Sequence, residues 1–318
     1  MEWLVALPVV AQWAIMLIAG IIYGGIIGLI PSAGPGKAVI LLFVIVSYFD
    51  FPGANYLFVL FSIATVVSCS IGDSFAGVLL GIPGASGAAA TMVDGFPLAK
   101  QGRASYALSS ALFCSTVNGL LFGLLGMAII PFYGKISQYV GVPEIFGMVC
   151  LAFALISTVT TKNTIRSLCA IGLGLFIGSI GYGMMGEVRN TFGWEYLEDG
   201  IPVVIVAAGL FALPELYEAM VTNFKIAKID NKTHNRQTWE GIYSVWKHRW
   251  LALMGGAIGW VVGILPGTGG GVGDWSAYSA TVATNKKEEV PFGKGNIKGV
   301  IGSEGANNSG KMGGLLPT

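Results

Sequence analysis

The chain has 318 residues, of which 54% are hydrophobic and only 11% are charged, against about 25% charged residues in a typical soluble domain. This composition, with a mean hydropathy of +0.71, predicts a membrane protein. The net charge of +1 gives no indication of nucleic-acid binding or of a polybasic membrane-surface protein.

Apolar runs long enough to cross a membrane recur along the chain. A spanning helix needs about 20 mainly apolar residues, and the runs that predict such helices are Leu4–Ile30, Tyr56–Leu80, Ala107–Phe132, Ile145–Val159, Leu168–Met185, Ile201–Leu213 and, as a further apolar run, Trp250–Leu265. Two more runs, Ala38–Phe49 and Val272–Ala283, are too short to span alone. We therefore expect an all-α polytopic membrane protein.

Both short runs follow a break of glycine and proline, and the two breaks resemble each other. The stretch GLIPSAGPG at Gly28–Gly36 agrees with GILPGTGGG at Gly263–Gly271 at four positions. A repeated break of this kind predicts an inverted-repeat transporter with broken helices or re-entrant hairpins at the Gly/Pro loops. On this hypothesis residues 1–213 hold the first transmembrane repeat and its scaffold helices. Residues 214–249 form a cytoplasmic amphipathic connector, and 250–318 are the start of a second repeat that is cut short.

The distribution of charge predicts which loops face the cytoplasm, since cytoplasmic loops carry an excess of Lys and Arg. The segment Pro214–Arg249 contains six Lys or Arg residues and is placed inside. The segment Gly186–Gly200 contains four acidic residues and one Arg and is placed outside. Pro214–Arg249 also interleaves aromatic and apolar residues with charge, which indicates an amphipathic segment at the membrane interface. A simple solvated loop is the alternative.

One glycine-rich stretch follows directly on an apolar run. The sequence IPGASGAAATMVDG, at Ile82–Gly95, is too poor in large side chains to build a core and too apolar for a solvated linker. We interpret it as the tip of a helical hairpin. A broken helix there offers N–H groups to a carboxylate and C=O groups to a cation, and glycine lets the ligand approach the backbone. A ligand-free contact between helices is the alternative.

Candidate ligand-binding residues come from the Gly/Pro loops and from one polar cluster, EGANN at Glu304–Asn308. The asparagines of this cluster both donate and accept hydrogen bonds, which suits a carboxylate and a cation; a helix cap is the alternative. The predicted substrate-binding residues are Ser32, Gly34, Pro83, Gly84, Ser86, Thr91, Pro266, Gly267, Thr268, Gly269, Asn307, Asn308 and Lys311. The candidates for ion coupling are Asp73, Asp94, Asp274 and Glu304.

Asp73, Asp274 and Lys311 stand out because an unpaired charge inside a bilayer is costly, and each lies in an apolar or glycine-rich segment. We expect Lys311 to attract an anionic substrate directly; a structural pair with Asp73 or Asp274 is the alternative. The four cysteines lie in apolar runs without a C-x-x-C pair and are interpreted as buried thiols. No metal site or organic cofactor is predicted.

Several of these stretches resemble the large membrane subunit of tripartite tricarboxylate transporters, the TctA family. The stretches are GIPGASGAAATMVDGFPLAKQGRA at Gly81–Ala104, GILPGTGG at Gly263–Gly270 and PFGKGNIKGVIGSEGANNSGKMGGLLPT at Pro291–Thr318. Their order and spacing also fit, so the resemblance covers essentially the whole chain, although the family normally continues well past this C-terminus. The sequence departs from the family pattern at Ser32, Asp73, Ala85–Ala88, Asp274 and Lys311.

The resemblance implies a secondary transporter of the bacterial inner membrane rather than an enzyme. It implies import of tri- or dicarboxylates or related organic acids, coupled to Na⁺ or H⁺, with a small membrane subunit and a periplasmic solute-binding protein as partners. A passive anion channel is the alternative, because broken helices also build selectivity filters. A weaker alternative comes from GVGD at Gly271–Asp274. It matches the G-x-G-D pattern of intramembrane aspartyl proteases, with Asp73 as the second carboxylate, but their other sequence elements are absent.

Overall fold

The computed structural model describes residues 8–30, 54–85, 87–136, 164–183, 186–201, 231–264, 269–286 and 288–314, together with isolated residues in the gaps between them. The elements of this part are the helices α1 (Val9–Leu29), α2 (Ala54–Leu80), α3 (Ala88–Lys100), α4 (Ala104–Ile136), α5 (Thr164–Gly178), α6 (Asn231–Lys247), α7 (Arg249–Ile264), α8 (Gly269–Thr284) and α9 (Ile297–Gly314), a 3₁₀ turn at Glu195–Leu197, and the strands β1 (Gly181–Tyr182) and β2 (Val188–Arg189). The two short strands pair antiparallel, with Gly181 opposite Arg189. The all-α class predicted from the sequence is confirmed.

Three of the described helices are long and apolar enough to cross a membrane. They contain Val9–Leu29, Tyr56–Leu80 and Ala104–Phe132, close to three of the predicted spans. Leu168–Gly178 and Arg249–Ile264 are apolar but shorter. The predicted spans Ile145–Val159 and Ile201–Leu213, and the short run Ala38–Phe49, lie almost entirely outside the described residues.

The predicted span Leu168–Met185 is wrong at its C-terminal end. Helix α5 ends at Gly178, and the chain turns through Ser179 and Ile180 into β1. Gly181, the first residue of β1, has a φ of 111°, which a helix does not accommodate and which favours glycine. The interpretation of all four cysteines as buried thiols is also half wrong, because Cys69 and Cys114 are buried but Cys150 and Cys169 are exposed.

The stretch Ile82–Gly95 is a helical hairpin tip only in its first half. The described residues between α2 and α3, which are 81–85 and 87, are outside any helix, and α3 begins at Ala88. The predicted short run Val272–Ala283 lies within α8, which begins at Gly269. The hinge residues at 31–33 and 265–268 are outside the described part of the chain.

Helix α1 packs against α2 at a distance that only glycine allows. Three glycines of α1, spaced four residues apart, each face a backbone carbonyl of α2 with no room for a Cβ atom between them. The glycines are Gly20, Gly24 and Gly28, and the carbonyls belong to Phe61, Thr65 and Cys69. Close backbone approach through small residues is typical of helix pairs in membranes.

Helix α7 packs against α9 in the same manner. Its glycines are Gly255, Gly259 and Gly263, and the carbonyls that leave them no room for a Cβ belong to Gly302, Ala306 and Gly310. The glycines lie 235 positions after those of α1, which is the offset at which the two Gly/Pro breaks align. The carbonyls lie 241 positions after those of α2. The α1–α2 and α7–α9 pairs therefore use one packing pattern, which supports the repeat hypothesis.

Helix α9 is the centre of the described structure. It packs against α2, α3, α4, α7 and α8, and thirteen of its 18 residues are buried. These residues are mainly glycine, serine, asparagine and alanine, with one glutamate. The most buried helix is thus also the one that carries the polar cluster found in the sequence, so its polar groups face other helices.

Candidate functional site

Glu304, near the middle of α9, is completely buried and surrounded by hydrogen-bond donors. Ser74 Oγ and Thr91 Oγ1 donate to its Oε1 at 2.6 and 2.9 Å. Asn307 Nδ2 donates to its Oε2 at 3.1 Å. The three partners come from α2, α3 and α9, so this carboxylate joins three helices at one point. Its exposed fraction is 0%, and such burial requires partners of this kind.

Lys311 lies one turn after Asn307 and continues the same network. Its Nζ donates to Asn307 Oδ1 at 2.6 Å and also contacts Ser70 Oγ on α2. Since the Lys311 ammonium has no acceptor, it holds the Asn307 amide with its oxygen toward Lys311 and its nitrogen toward Glu304. Asn307 therefore bridges the half-buried Lys311 ammonium and the fully buried Glu304 carboxylate.

Asp73 on α2 and Asp274 on α8 are the second pair of acids in this region. Each has 2% of its surface exposed, and within the described residues the Oδ1 atom of each carboxylate has no hydrogen-bond partner. The two carboxylates interact electrostatically with each other and with Lys311 and Glu304. An unpartnered buried carboxylate oxygen is costly, so these two oxygens are suited to receive a cation or a proton.

The glycine-rich loop 81–87 lies against both of these carboxylates. A Cβ added to Gly84 would lie 2.6 Å from Asp73 Oδ1, and a Cβ added to Gly87 would overlap Asp274 Oδ2. Any residue other than glycine at either position would displace a carboxylate or the loop itself. Glycine is thus required at these two positions because the backbone lies in close contact with a buried carboxylate.

The charges of this cluster do not balance. When Asp73, Asp274 and Glu304 are ionised, Lys311 compensates one of the three negative charges and two remain. Charge excess in a region of low dielectric constant is unfavourable by several kcal/mol. Within the described residues, no group of three or more His, Cys, Asp or Glu side chains is close enough to hold one metal ion.

Asp94, which the sequence places among the ion-coupling candidates, has different surroundings. Its Oδ2 accepts a hydrogen bond from Tyr278 at 2.9 Å. Its Oδ1 accepts three backbone N–H groups, from Gly293, Gly295 and Asn296, at 2.8, 3.1 and 2.8 Å. Both oxygens are thus occupied by protein donors. The structure makes Asp94 an anchor that fixes the segment before α9 to α3.

The other predicted site residues divide into three groups. Thr91, Pro83, Gly84 and Asn307 belong to the buried cluster or its loop. Asn308 is buried but faces Gly119 and an apolar groove of about 560 Å³ between α2 and α4. Gly34, with a φ of 61°, has open space at its Cβ position, and Gly269 begins α8. The remaining candidates lie outside the described residues and are Ser32, Ser86, Pro266, Gly267 and Thr268.

The sequence interpretation missed three serines of the cluster. Ser70 and Ser74 lie one turn apart on α2, and Ser303 shares a 2.9 Å hydrogen bond with Thr91. A signal was present, because Ser70, Asp73 and Ser74 lie on one face of an otherwise apolar helix. Polar residues on one face of a spanning helix indicate a face that packs on protein rather than lipid.

Comparison with known proteins agrees with the sequence motifs. The family model described as "Tripartite tricarboxylate transporter TctA family" matches residues 14–318. A curated relative from Agrobacterium vitis, described as an uncharacterized 52.8 kDa protein in the TAR-I ttuC' 3' region, is 28% identical over 315 residues. The match covers 98% of this chain and 60% of the relative, so the chain spans three fifths of that protein's length. No solved structure matches the chain. The chain belongs to the TctA family of tripartite tricarboxylate transporters.

Proposed function

We propose that this chain is the large membrane subunit of a secondary active transporter that imports tri- or dicarboxylates or related organic acids. Import is coupled to Na⁺ or H⁺. A periplasmic solute-binding protein delivers the substrate to the outer face, and a small membrane subunit completes the transporter in the bacterial inner membrane. Membership of the family supports the transport role. The partner subunits are proposed from the tripartite character of the family, and the carboxylate substrate and the coupling are supported by the argument that follows.

The observation that supports the proposal is the position of the buried charge between the α1–α2 pair and the α7–α9 pair, which we interpret as parts of two repeats. The packing pattern makes each residue of α2 correspond to the residue of α9 that lies 241 positions later, so Ser70 corresponds to Lys311. These two side chains touch each other. When corresponding residues of two inverted repeats are in contact, they lie on the axis that relates the repeats. Transporters of this type bind substrate and coupling ions at that interface, near the middle of the bilayer.

The residues of the cluster have distinct roles in this proposal. Asp73 and Asp274 bind the coupling cation or proton through the oxygens that no protein donor occupies. Lys311 and Asn307 provide an ammonium and an amide for a substrate carboxylate, as Lys side chains bind anions through charge and hydrogen bonds. Glu304 is held by three donors, and its hydrogen bond to Asn307 fixes that side chain beside Lys311.

Transport by proteoliposomes that contain the complete transporter tests the proposal. Uptake of a panel of carboxylates is measured with the binding protein outside and with an imposed Na⁺ or pH gradient. Saturable uptake that follows one gradient is expected. The double variant Asp73→Asn/Asp274→Asn loses the dependence on that gradient, while Asp199→Asn, in the segment that faces outside in our topology, keeps it.

Two results contradict the proposal. Flux that does not saturate and follows only the gradient of the carboxylate identifies a passive channel instead. Full cation dependence in the Asp73→Asn/Asp274→Asn variant shows that the coupling site lies elsewhere in the transporter.

A further inference from the structure

Helix α6 is fixed on the protein by one face. Ser110 Oγ of α4 donates to Gly241 O at 3.0 Å, and Tyr106 OH donates to Ser244 Oγ at 3.2 Å. Gly241 lies so close to α4 that a Cβ atom would meet Tyr106 O at 2.6 Å. Val245, with 4% of its surface exposed, is buried in the core. The rotation of α6 about its axis is therefore set by these contacts.

The opposite face carries a stripe of four exposed aromatic side chains. Trp239, Tyr243, Trp246 and Trp250 have exposed fractions between 64% and 74%. At about 100° per residue, these positions fall in one sector about 60° wide, on the side away from Gly241 and Val245. The helical hydrogen bonding continues through the junction with α7, since His248 N–H bonds to Ser244 O and Ala252 N–H to His248 O. Trp250 therefore belongs to the same face.

Cationic side chains flank this aromatic stripe. Arg236, Lys247 and Arg249 are exposed beside it, and the nearby Glu240 is paired with Arg236 and Arg103. The pocket beside Lys247 also contains Glu289 and Glu288, and Glu288 pairs with Lys298. Five cations (Arg103, Arg236, Lys247, Arg249 and Lys298) against three acids (Glu240, Glu288 and Glu289) leave a local charge of +2.

The stripe also lies at the end of a spanning helix. Tyr106 and Ser110, on which α6 packs, are in the first two turns of α4, directly after Arg103. By contrast, the exposed large residues of α1 and α4 further along are mainly aliphatic, among them Ile18, Leu120 and Leu124. Aliphatic side chains suit the hydrocarbon of a bilayer, while Trp and Tyr concentrate where hydrocarbon meets headgroups. Because Gly241 and Ser244 meet Ser110 and Tyr106, the stripe begins at the level of that boundary.

We propose that the face of α6 formed by Trp239, Tyr243, Trp246 and Trp250 is a binding surface for anionic phospholipid in the cytoplasmic leaflet. The aromatic rings lie at the level of the glycerol and headgroups, and Arg236, Lys247 and Arg249 attract the lipid phosphates. Exposed tryptophan flanked by arginine and lysine suits a lipid surface in both composition and charge. The surface is independent of the substrate and ion site.

Quenching of tryptophan fluorescence by brominated lipid tests this surface in the full chain, reconstituted in bilayers. Brominated phosphatidylglycerol in phosphatidylcholine is compared with brominated phosphatidylcholine at the same mole fraction. The wild type is expected to be quenched more strongly by the anionic lipid. The excess is lost in the variant Trp239→Phe/Trp246→Phe/Trp250→Phe, which changes only exposed side chains.

The contribution of the cations is measured in the same bilayers. Each Lys or Arg near an anionic surface raises the local lipid preference by about fivefold, so Lys247→Gln/Arg249→Gln is expected to remove most of the anionic excess. Lys294→Gln, which removes an exposed charge that lies outside α6 and α7, serves as the matched control. If neither brominated lipid quenches the tryptophans of the stripe, a protein partner covers this face. Equal quenching by both lipids means that the surface does not select charge. Either result overturns the proposal.

Discussion

Replacement of Lys311 by methionine removes the one cation of the buried charge cluster while it keeps the length and apolar stem of the side chain. In the native protein, the Lys311 ammonium donates to Asn307, contacts Ser70 and interacts electrostatically with three buried carboxylates. In the variant, the three carboxylates still repel one another but lose the electrostatic attraction of the Lys311 ammonium. Lys311→Met is therefore expected to destabilise the fold.

The structure sets the size of this effect. A hydrogen bond that involves a charged group contributes about 1.5–3 kcal/mol, and Lys311 makes two such contacts. Removal of one partner from a buried ion cluster costs about 3–5 kcal/mol. The two estimates agree, so we expect the free energy of unfolding to fall by about 3–5 kcal/mol. Neutralisation of a carboxylate with an unpartnered oxygen, as in Lys311→Met/Asp274→Asn, is expected to restore at least half of that loss.

Reversible unfolding in mixed micelles, with thermal melting as a second measurement, gives the free energies for this double-mutant cycle. Asp94→Asn is the matched control, because Asp94 is buried but has both oxygens occupied by other donors. A loss below about 0.5 kcal/mol in Lys311→Met refutes the reasoning, and so does equal rescue by Asp94→Asn. The rescued double variant, compared with Asp274→Asn alone, also shows whether Lys311 binds substrate, since any further loss of substrate affinity then comes from Lys311.

The remaining predictions concern the glycine loops and the topology. Gly84→Val is expected to abolish transport but leave folded protein in the membrane, because its side chain would occupy the place of the Asp73 carboxylate. Gly34→Val is also expected to abolish transport, because valine at a positive φ adds about 1–2 kcal/mol of strain. Near-normal uptake by both variants would show that these glycines serve only helix packing. An impermeant thiol reagent added to intact cells, in a cysteine-free background, is expected to label Glu195→Cys but not Lys232→Cys; the reverse pattern would invert the topology.

The helices that are long and apolar enough to cross a membrane were predictable because each is a long apolar run. The predicted span Tyr56–Leu80 lies within α2, and Ala107–Phe132 lies within α4. The end of α5 at Gly178 was not predicted, since apolar residues continue beyond it and hydropathy alone does not register the backbone angle of Gly181. Hydropathy thus locates segments that suit lipid, while backbone geometry decides where they end.

The close packing of α1 on α2 and of α7 on α9 left a signal in the sequence that motif comparison overlooked. The alignment of the Gly/Pro breaks extends backward, at the same offset, through two further pairs of glycines, which are Gly20 with Gly255 and Gly24 with Gly259. Four-residue spacing places all of these glycines on one face of each helix. The partner carbonyls were not predictable, because backbone atoms of any residue type serve in that place.

Asp73 and Asp94 show why the role of a buried acid is decided outside its own segment. Both were candidates for ion coupling on the same ground, as carboxylates in segments that suit a membrane. Asp94 meets three N–H groups from residues about 200 positions later, and they occupy the oxygen that a cation would need. Asp73 meets Gly84, which contacts the carboxylate closely, and no described residue donates a hydrogen bond to its Oδ1. The unoccupied oxygen, which only the folded chain defines, is what distinguishes a carboxylate able to bind an ion from one that anchors a loop.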